Sequence, residues 1–202
     1  ADGVEYECRA RGLFRKQGMT PLAGDRVLIS PQPDGSGFVQ EVLPRRNALV
    51  RPPVANLDYL VLVASIVQPD PNLLVLDKML VIAEANSITP LIVINKADLA
   101  DTGWLYDTYR KTGYQVFAVS ALQPVTVEPL RAALSGKTSA FAGNTGVGKS
   151  SILNAMAPDL LLETSEISQK SGRGRHTTRI ASLFPLPGGG YMVDTPGFSS
   201  VD

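Results

Sequence analysis

The eight residues Gly143-Asn144-Thr145-Gly146-Val147-Gly148-Lys149-Ser150 have the types and the spacing of a loop that holds phosphate. The glycines allow successive backbone N–H groups to turn toward phosphate oxygens at the start of a helix, where the helix dipole favours an anion. In such loops the lysine reaches the β- and γ-phosphates of a nucleoside triphosphate and the serine hydroxyl binds Mg²⁺. The alternative is an ordinary glycine-rich turn. The nucleotide contacts predicted here are Gly143, Asn144, Thr145, Gly146, Val147, Gly148, Lys149, Ser150 and Ser151.

A second motif, Asn95-Lys96-Ala97-Asp98, indicates which base is bound. The Asp98 carboxylate can accept from both N1–H and N2–H₂ of guanine, whereas adenine would leave a buried charge without a partner. We expect Asn95 to hold the loop or the base edge, and the stem of Lys96 to cover the ring. Ser120-Ala121 follows the next strand, where a backbone N–H can meet guanine O6. Taken alone, the tetrapeptide Asn95-Lys96-Ala97-Asp98 is equally typical of a solvated polar turn.

The γ-phosphate end of the site is expected to use two later segments. Asp194-Thr195-Pro196-Gly197 follows a short apolar strand, so Asp194 can hold Mg²⁺ through water and the Gly197 N–H can meet the γ-phosphate. The polar stretch 163–179 is typical of a switch segment that nucleotide orders, with the Thr178 hydroxyl completing the Mg²⁺ shell. The alternative for residues 194–197 is an ordinary Pro-Gly turn, and the alternative for residues 163–179 is a solvated loop that does not contact nucleotide.

Water activation is not obvious from the motifs. A glutamine directly after Asp-x-x-Gly orients water in Ras-like enzymes, but here that position is Phe198. His176 is the candidate within the chain, because an imidazole that titrates near neutrality can orient or deprotonate water. We therefore assign His176, Thr178 and Lys149 to catalysis. The alternative is that His176 orders the loop or contacts RNA.

The elements that must position these motifs alternate between strand and helix after residue 57. Apolar runs at 57–65, 90–94, 114–119 and 139–142 predict strands, and helical spacing appears at 72–85, 105–111, 128–134 and 151–157. This alternation predicts an α/β P-loop domain over 57–202, with a mostly parallel sheet and helices on both faces. Short β-rich runs at 4–10, 26–30 and 38–43 predict a small all-β barrel over 1–45, joined by a linker at 46–56.

Composition excludes several other classes. The 202 residues are 44% hydrophobic and 19% charged, as in a globular protein, and no apolar run reaches the roughly 18 residues of a membrane helix. One cysteine and one histidine leave no disulfide and no Cys/His zinc site in these residues, and a reducing cytoplasm is the expected location. Because the formal net charge is zero, RNA must be held by local patches. The candidates are Arg9, Arg11, Arg15 and Lys16, although a solvated strand face explains them equally well.

The order of the motifs is permuted. In most GTPases the phosphate loop comes first, but here Asn-Lys-x-Asp and Ser-Ala precede it, and a circular permutation preserves the contacts while moving the termini. With this order the chain resembles the circularly permuted, ribosome-associated GTPases of the RsgA (YjeQ) family, the small-subunit biogenesis GTPases of bacteria. Further matching segments are Gly24-Asp25-Arg26-Val27, 43–52, Ala55-Asn56-Leu57-Asp58, Gly172-Arg173-Gly174-Arg175-His176-Thr177-Thr178 and Asp194-Thr195-Pro196-Gly197-Phe198.

The resemblance implies an OB-fold barrel in front of a permuted GTPase domain, with GTP and GDP as ligands and Mg²⁺ as cofactor. It also implies a monomer that binds the 30S subunit and 16S rRNA during late maturation, with release controlled by the nucleotide and hydrolysis stimulated by the ribosome. The family's C-terminal zinc domain is absent from these residues, so we expect the chain to be part of a longer protein.

The sequence leaves two alternative hypotheses for the function. One is a nucleotide-dependent RNA-binding module that barely turns over. The other is an ATP-using P-loop enzyme, to which Asp98 is the main objection.

Overall fold

In a computed structural model, the described residues are 3–10, 14, 18–50, 52–158 and 182–194, without the side chains of Ser182 and Asp194. They form a six-stranded sheet, a three-stranded sheet and a two-stranded hairpin. Several predicted site residues lie outside the described residues, namely Arg11, Arg15, Lys16, His176, Thr178, Gly197 and Phe198.

The six-stranded sheet carries the phosphate loop. Its strands are β6 (Tyr59–Ser65), β7 (Thr89–Asn95), β8 (Gln115–Ala118), β9 (Lys137–Ala142), β10 (Ser182–Pro185) and β11 (Gly190–Asp194). The order across the sheet is β10-β11-β9-β6-β7-β8, and every neighbouring pair is parallel except β10 and β11. The predicted mostly parallel α/β sheet is confirmed.

Within the described residues, four α-helices cover this sheet, two on each face. They are α1 (Leu73–Ala85), α2 (Gly103–Lys111), α3 (Glu128–Leu134) and α4 (Lys149–Met156). Alternate residues of a strand point to opposite faces, and in β6 Leu60 packs in one apolar cluster with α1 and α2 while Val61 packs in another with α3 and α4. Burial of β6 on both faces explains its continuous apolar run. None of the four has the length and apolar content of a membrane span.

The N-terminal sheet consists of β1 (Glu7–Ala10), β2 (Val27–Pro31) and β3 (Ser36–Val42), in the order β1-β3-β2. β2 and β3 form an antiparallel hairpin. At its turn Asp34 Oδ1 accepts from the Ser36 N–H (3.0 Å) and hydroxyl (2.7 Å), which lowers the pKa of Asp34. Gly35, with φ of 82°, completes the turn in a conformation that suits glycine. The three strands predicted in this region are therefore present.

The segment expected to be a plain linker carries a hairpin instead. β4 (Ala48–Leu49) and β5 (Val54–Ala55) pair on either side of a turn at Pro52 and Pro53. Leu49 and Val54 are buried in the same apolar cluster as α1, and the Ala55 N–H donates to Ala23 O at 2.9 Å. The hairpin therefore attaches the N-terminal sheet to the core of the larger sheet. The domain limits at 45 and 57 stay a prediction.

Candidate nucleotide-binding site

The strand order creates a crevice at the carboxyl ends of β6 and β9. The chain runs from β6 through β7 to β8 on one side, and then returns to β9 on the other side of β6. Ligands of open α/β sheets bind outside such a switch point. The phosphate loop begins here, because Gly143 directly follows β9. A Cβ at Gly143 would overlap the Val63 carbonyl oxygen, and its φ of 147° favours glycine, so only glycine lets the loop pass this close to β6.

Lys149 lies in the first turn of α4 and folds back over the loop. Its ammonium group donates to the carbonyl oxygens of Gly143 (2.6 Å) and Asn144 (2.9 Å). Burial lowers the pKa of Lys149, and no carboxylate pairs with it among the residues that the structure describes. A half-buried cation whose hydrogen-bond partners among the described residues are neutral carbonyls is suited to a phosphate ligand, which supplies the missing negative charge.

Asn95, at the end of β7, joins the phosphate loop to the predicted base-binding loops. Its Nδ2 donates to Val147 O (2.8 Å), and its Oδ1 accepts from the Ala121 N–H (3.3 Å), while the residue is only 2% exposed. Of the two roles predicted for Asn95, the structure shows the loop-holding one. A Cβ at Gly148 would overlap Asn95 Nδ2, so glycine is needed there for the amide to reach the loop.

The Ser-Ala loop is held by a residue that the sequence reasoning missed. The Ser120 N–H donates to Thr126 Oγ1 (2.8 Å), and the same hydroxyl lies 3.1 Å from Ser120 O. The Leu122 N–H donates to Ser120 Oγ (3.2 Å). The longest of these N–H bonds is the one from Ala121 to Asn95, so the Ala121 N–H is the donor that a ligand oxygen can recruit most easily. Only the turn after β8 brings Thr126 to Ser120.

Lys96 contacts the loop after β6, a segment that the sequence analysis did not assign to the site. Its φ of 64° is in the left-handed region, and its ammonium group donates to the carbonyl oxygen of Gln68 in the loop after β6. Ser65 Oγ donates to the next carbonyl in that loop, Pro69 O, at 2.6 Å. A Cβ at Gly146 would lie 3.6 Å from Pro69, which places this loop against the phosphate loop. Asp98, two residues after Lys96, is exposed and accessible to a base.

Of the residues predicted to hold Mg²⁺, Ser150 and the backbone of Asp194 are described, and both lie at the edge of the sheet that carries the phosphate loop. Ser150 is in the first turn of α4, and its hydroxyl makes no hydrogen bond with any described residue. The backbone of Asp194 ends β11, directly after the pair formed by Val193 and Ala140 of β9. Hydroxyl and carboxylate oxygens are the ligands that Mg²⁺ prefers, so a free serine hydroxyl beside the phosphate loop fits this cation.

The structure therefore brings together the motifs that the permuted order separates along the chain. The phosphate loop, Asn95, Lys96, Asp98, Ser120 and Ala121 all lie at the carboxyl ends of the central strands. Among the predicted RNA contacts only Arg9 is described, and it is exposed on β1 in the N-terminal sheet.

Comparison with known proteins gives the family. Residues 42–202 match the model of the RsgA GTPase, and residues 1–39 match the RsgA N-terminal domain. The chain belongs to the RsgA family. The resemblance inferred from the sequence is therefore confirmed, as is the predicted order of an N-terminal domain followed by a GTPase domain.

Relatives in the RsgA family are similar along nearly the whole chain. The "small ribosomal subunit biogenesis GTPase RsgA" of Caldanaerobacter subterraneus is 46% identical over 199 residues, which cover 97% of this chain and 68% of the relative. The protein of the same name from Geobacillus thermodenitrificans is 46% identical and covers 100% and 71%.

Solved structures of the RsgA family share the fold. The crystal structure of YjeQ from Thermotoga maritima has a TM-score of 0.78 at 40% identity, over 95% of this chain and 66% of the other. YloQ, described as a circularly permuted GTPase, has a TM-score of 0.75 at 40% identity, over 98% and 64%. The chain thus spans about two thirds of the length of these relatives.

Proposed function

We propose that this RsgA family member binds and hydrolyses GTP and acts in late maturation of the small (30S) ribosomal subunit. The observation that carries the proposal is the position of Asn95, whose one side chain joins the phosphate loop to the Ser-Ala loop. A site in which the base-recognition loops and the phosphate loop share a buried hydrogen-bonded residue supports binding of a whole guanine nucleotide. The relatives named as small-subunit biogenesis GTPases supply the cellular role.

Guanine selection is assigned to Asp98, with Ala121 as the second contact. The exposed Asp98 carboxylate is free to accept from N1–H and N2–H₂, and the Ala121 N–H can turn from Asn95 to guanine O6. Adenine would offer no pair of donors to the carboxylate. This chemistry opposes the ATP-using reading, and competition between GDP and ADP for the site tests it directly.

Phosphate and Mg²⁺ binding are assigned to the loop and to oxygen ligands around it. Lys149 would exchange its carbonyl contacts for the β- and γ-phosphates, and Ser150, Thr178 and Asp194 would hold Mg²⁺, with Asp194 acting through water. Mg²⁺, when bound, neutralises charge that develops on the phosphate oxygens. Replacing Ser150 by alanine should weaken Mg²⁺-dependent GTP binding more than GDP binding.

Water activation is assigned to His176, because the side chain of Phe198 has no hydrogen-bonding group. We expect His176→Ala to lose most of the 30S-stimulated turnover while it keeps near-normal affinity for GDP and for a nonhydrolysable GTP analogue. If the variant is stimulated as strongly as the unsubstituted protein, the water is positioned by backbone groups or by the ribosome.

The partner in this proposal is the 30S subunit and its 16S rRNA, bound by a monomer in the cytoplasm. GTP would favour the subunit-binding arrangement of the switch segments, and hydrolysis would favour release. The basic residues Arg9, Arg11, Arg15 and Lys16 are proposed RNA contacts. Reversing the charge of two of them should reduce 30S binding and flatten its salt dependence.

The test that separates this function from a binding module is multiple-turnover release of phosphate from GTP, with and without 30S subunits. A GTPase of this kind turns over slowly alone and much faster with subunits. Equal and negligible turnover in both conditions, combined with nucleotide-dependent 30S binding, would favour the binding module instead.

A further inference from the structure

A polar cleft lies between the N-terminal sheet and the six-stranded sheet, at the edge opposite the nucleotide site. Its volume is about 540 Å³, and we call it the junction cleft. Its charged and aromatic lining consists of Asp25, Arg26, Arg46, Asp58, Lys137 and Tyr191. Lys137 begins β9 and Tyr191 is the second residue of β11, so the cleft lies at the amino ends of strands whose carboxyl ends reach the nucleotide site.

The walls of the junction cleft are fixed by hydrogen bonds across the two parts of the chain. Asn56 Nδ2 donates to Gly24 O (2.9 Å), and the Arg46 N–H donates to Asn56 Oδ1 (2.9 Å). Asp58 accepts from Arg46 Nη2 (3.0 Å) and from the Thr138 N–H (2.8 Å). Burial raises the pKa of Asp58, but these bonds and nearby cations outweigh it and hold the pKa below its usual range. A cleft built in this way exists before any ligand arrives.

Both carboxylates in the described lining of the junction cleft are paired with arginines, whereas two of its cations form no ion pair with a described residue. Asp25, whose side chain is only 2% exposed, accepts from Arg45 Nε and from the Leu22 N–H, both at 2.7 Å. Asp58 is paired with Arg46, as above. Arg26 and Lys137 are exposed and donate no side-chain hydrogen bond to any residue that the structure describes. Lys137 is near enough to Asp58 to help lower the pKa of that carboxyl, but it forms no ion pair with any described residue. The described lining therefore carries three cations against two carboxylates, and Arg26 and Lys137 are the exposed cations that an incoming anion can reach.

Tyr191 adds an aromatic face beside these charges, and the residue is 49% exposed. Cations that contact phosphates and an aromatic ring on which a base stacks are the two elements of single-stranded nucleic acid sites. We propose that the junction cleft binds a single-stranded segment of RNA, with its phosphates at Arg26 and Lys137 and one base against Tyr191.

The openness of the cleft favours a polymer over a small nucleotide. Small ligands are typically enclosed over most of their surface, but Arg26, Lys137 and Tyr191 all remain exposed to solvent. A chain of RNA continues beyond the cleft on both sides and needs no enclosure. The choice of RNA as the polymer rests on the proposed function, whose partner is a ribosomal subunit.

The test is the binding of a short fluorescein-labelled oligouridine, measured by anisotropy over a range of salt concentrations. Arg26→Gln with Lys137→Gln should weaken binding and lower the slope of log K against log salt by about 1.4, since each phosphate contact on a single strand contributes about 0.7. Tyr191→Leu should weaken binding about tenfold with an unchanged slope, because it removes stacking and no charge. The matched control is Lys78→Gln with Lys111→Gln, which removes equal charge from exposed positions on α1 and α2.

Affinity for a fluorescent GDP should be unchanged in every variant, which shows that each one is folded. The proposal is overturned if the control pair lowers the slope as much as the cleft pair, if the unsubstituted protein binds no oligouridine at low salt, or if uridine monophosphate displaces the oligomer from the cleft. Failure of the proposed function looks different. In that case 30S subunits neither bind nor stimulate turnover, while the cleft variants still lose oligouridine binding.

Discussion

The contact between Asn95 and Gly148 can be tested by a double-mutant cycle in the nucleotide-free protein. Asn95→Ala removes two neutral hydrogen bonds, one to Val147 O and one from the Ala121 N–H. Each such bond contributes about 0.5–1.5 kcal/mol, so the variant should lose about 1–3 kcal/mol of unfolding free energy. Because bound nucleotide requires both loops in order, GDP affinity should also fall, by roughly fivefold to 150-fold.

Gly148→Ala disturbs the same contact from the other side. The new methyl group overlaps Asn95 Nδ2 and displaces the amide from Val147, which costs about 1 kcal/mol. The φ of 92° adds about 1–2 kcal/mol of backbone strain. In the double variant Asn95 is already alanine, so the methyl group at position 148 meets no amide and the hydrogen bond to Val147 O cannot be lost a second time. Its loss of stability should therefore fall short of the sum of the single losses by about 1 kcal/mol.

The assay is urea unfolding of the four proteins, with a fluorescent GDP titration of Asn95→Ala beside it. The control pairs Gly148→Ala with Asn86→Ala, which also removes one side-chain amide bond, from Nδ2 to Ile82 O at 2.7 Å. Asn86 lies before the start of β7, whereas Asn95 ends that strand, so this second cycle should be additive. Additivity within about 0.5 kcal/mol in the first cycle as well would refute the bridging role of Asn95.

Three further outcomes are expected. Asp98→Asn should weaken GDP binding on the order of 100-fold and shift preference toward xanthosine diphosphate, because an amide can donate to the C2 oxygen; unchanged GDP affinity would remove the assignment. Lys149→Ala should abolish hydrolysis in a single-turnover assay, and turnover at the original rate would contradict its phosphate role. Tyr109→Phe should cost about 1.5–3 kcal/mol of stability, since the Tyr109 hydroxyl donates to Asp77 at 2.8 Å. Burial is the main cause of the raised pKa of Tyr109, and the hydrogen bond to Asp77 raises it further. The partly buried Tyr106, changed to phenylalanine, is the control that should stay within about 0.5 kcal/mol in thermal or urea unfolding.

The sheet and the phosphate loop could be predicted from sequence because their signals are local. The buried strand β6 reads as a continuous apolar run, and the phosphate loop is a contiguous motif between a strand and a helix. Once parallel strands are inferred, their carboxyl ends must meet at one edge. This rule placed Asn95 and Ser120 near the phosphate loop without any knowledge of their contacts.

The remaining contacts depend on tertiary packing and leave no pattern of that kind. No local sequence pattern predicts that the Thr126 hydroxyl accepts from the Ser120 N–H, or that the Gln68 carbonyl accepts from Lys96. The hairpin of β4 and β5 was missed because the overlapping segment 44–53 has three prolines and three arginines, a composition that indicated a linker. Leu49 and Val54 are buried because they join the apolar cluster that also contains residues of β6 and α1.

The central place of β9 has a consequence for synthesis. A chain emerging from the ribosome presents β6, β7 and β8 first, and these three strands can pair with one another at once. The other edge of β6 must wait for β9, which arrives only after α3 has been made. During that interval β6 is an apolar strand with an unpaired edge, the feature that promotes association between chains. The permuted order thus delays the phosphate loop and, with it, the pairing of this apolar edge of β6 in the nascent protein.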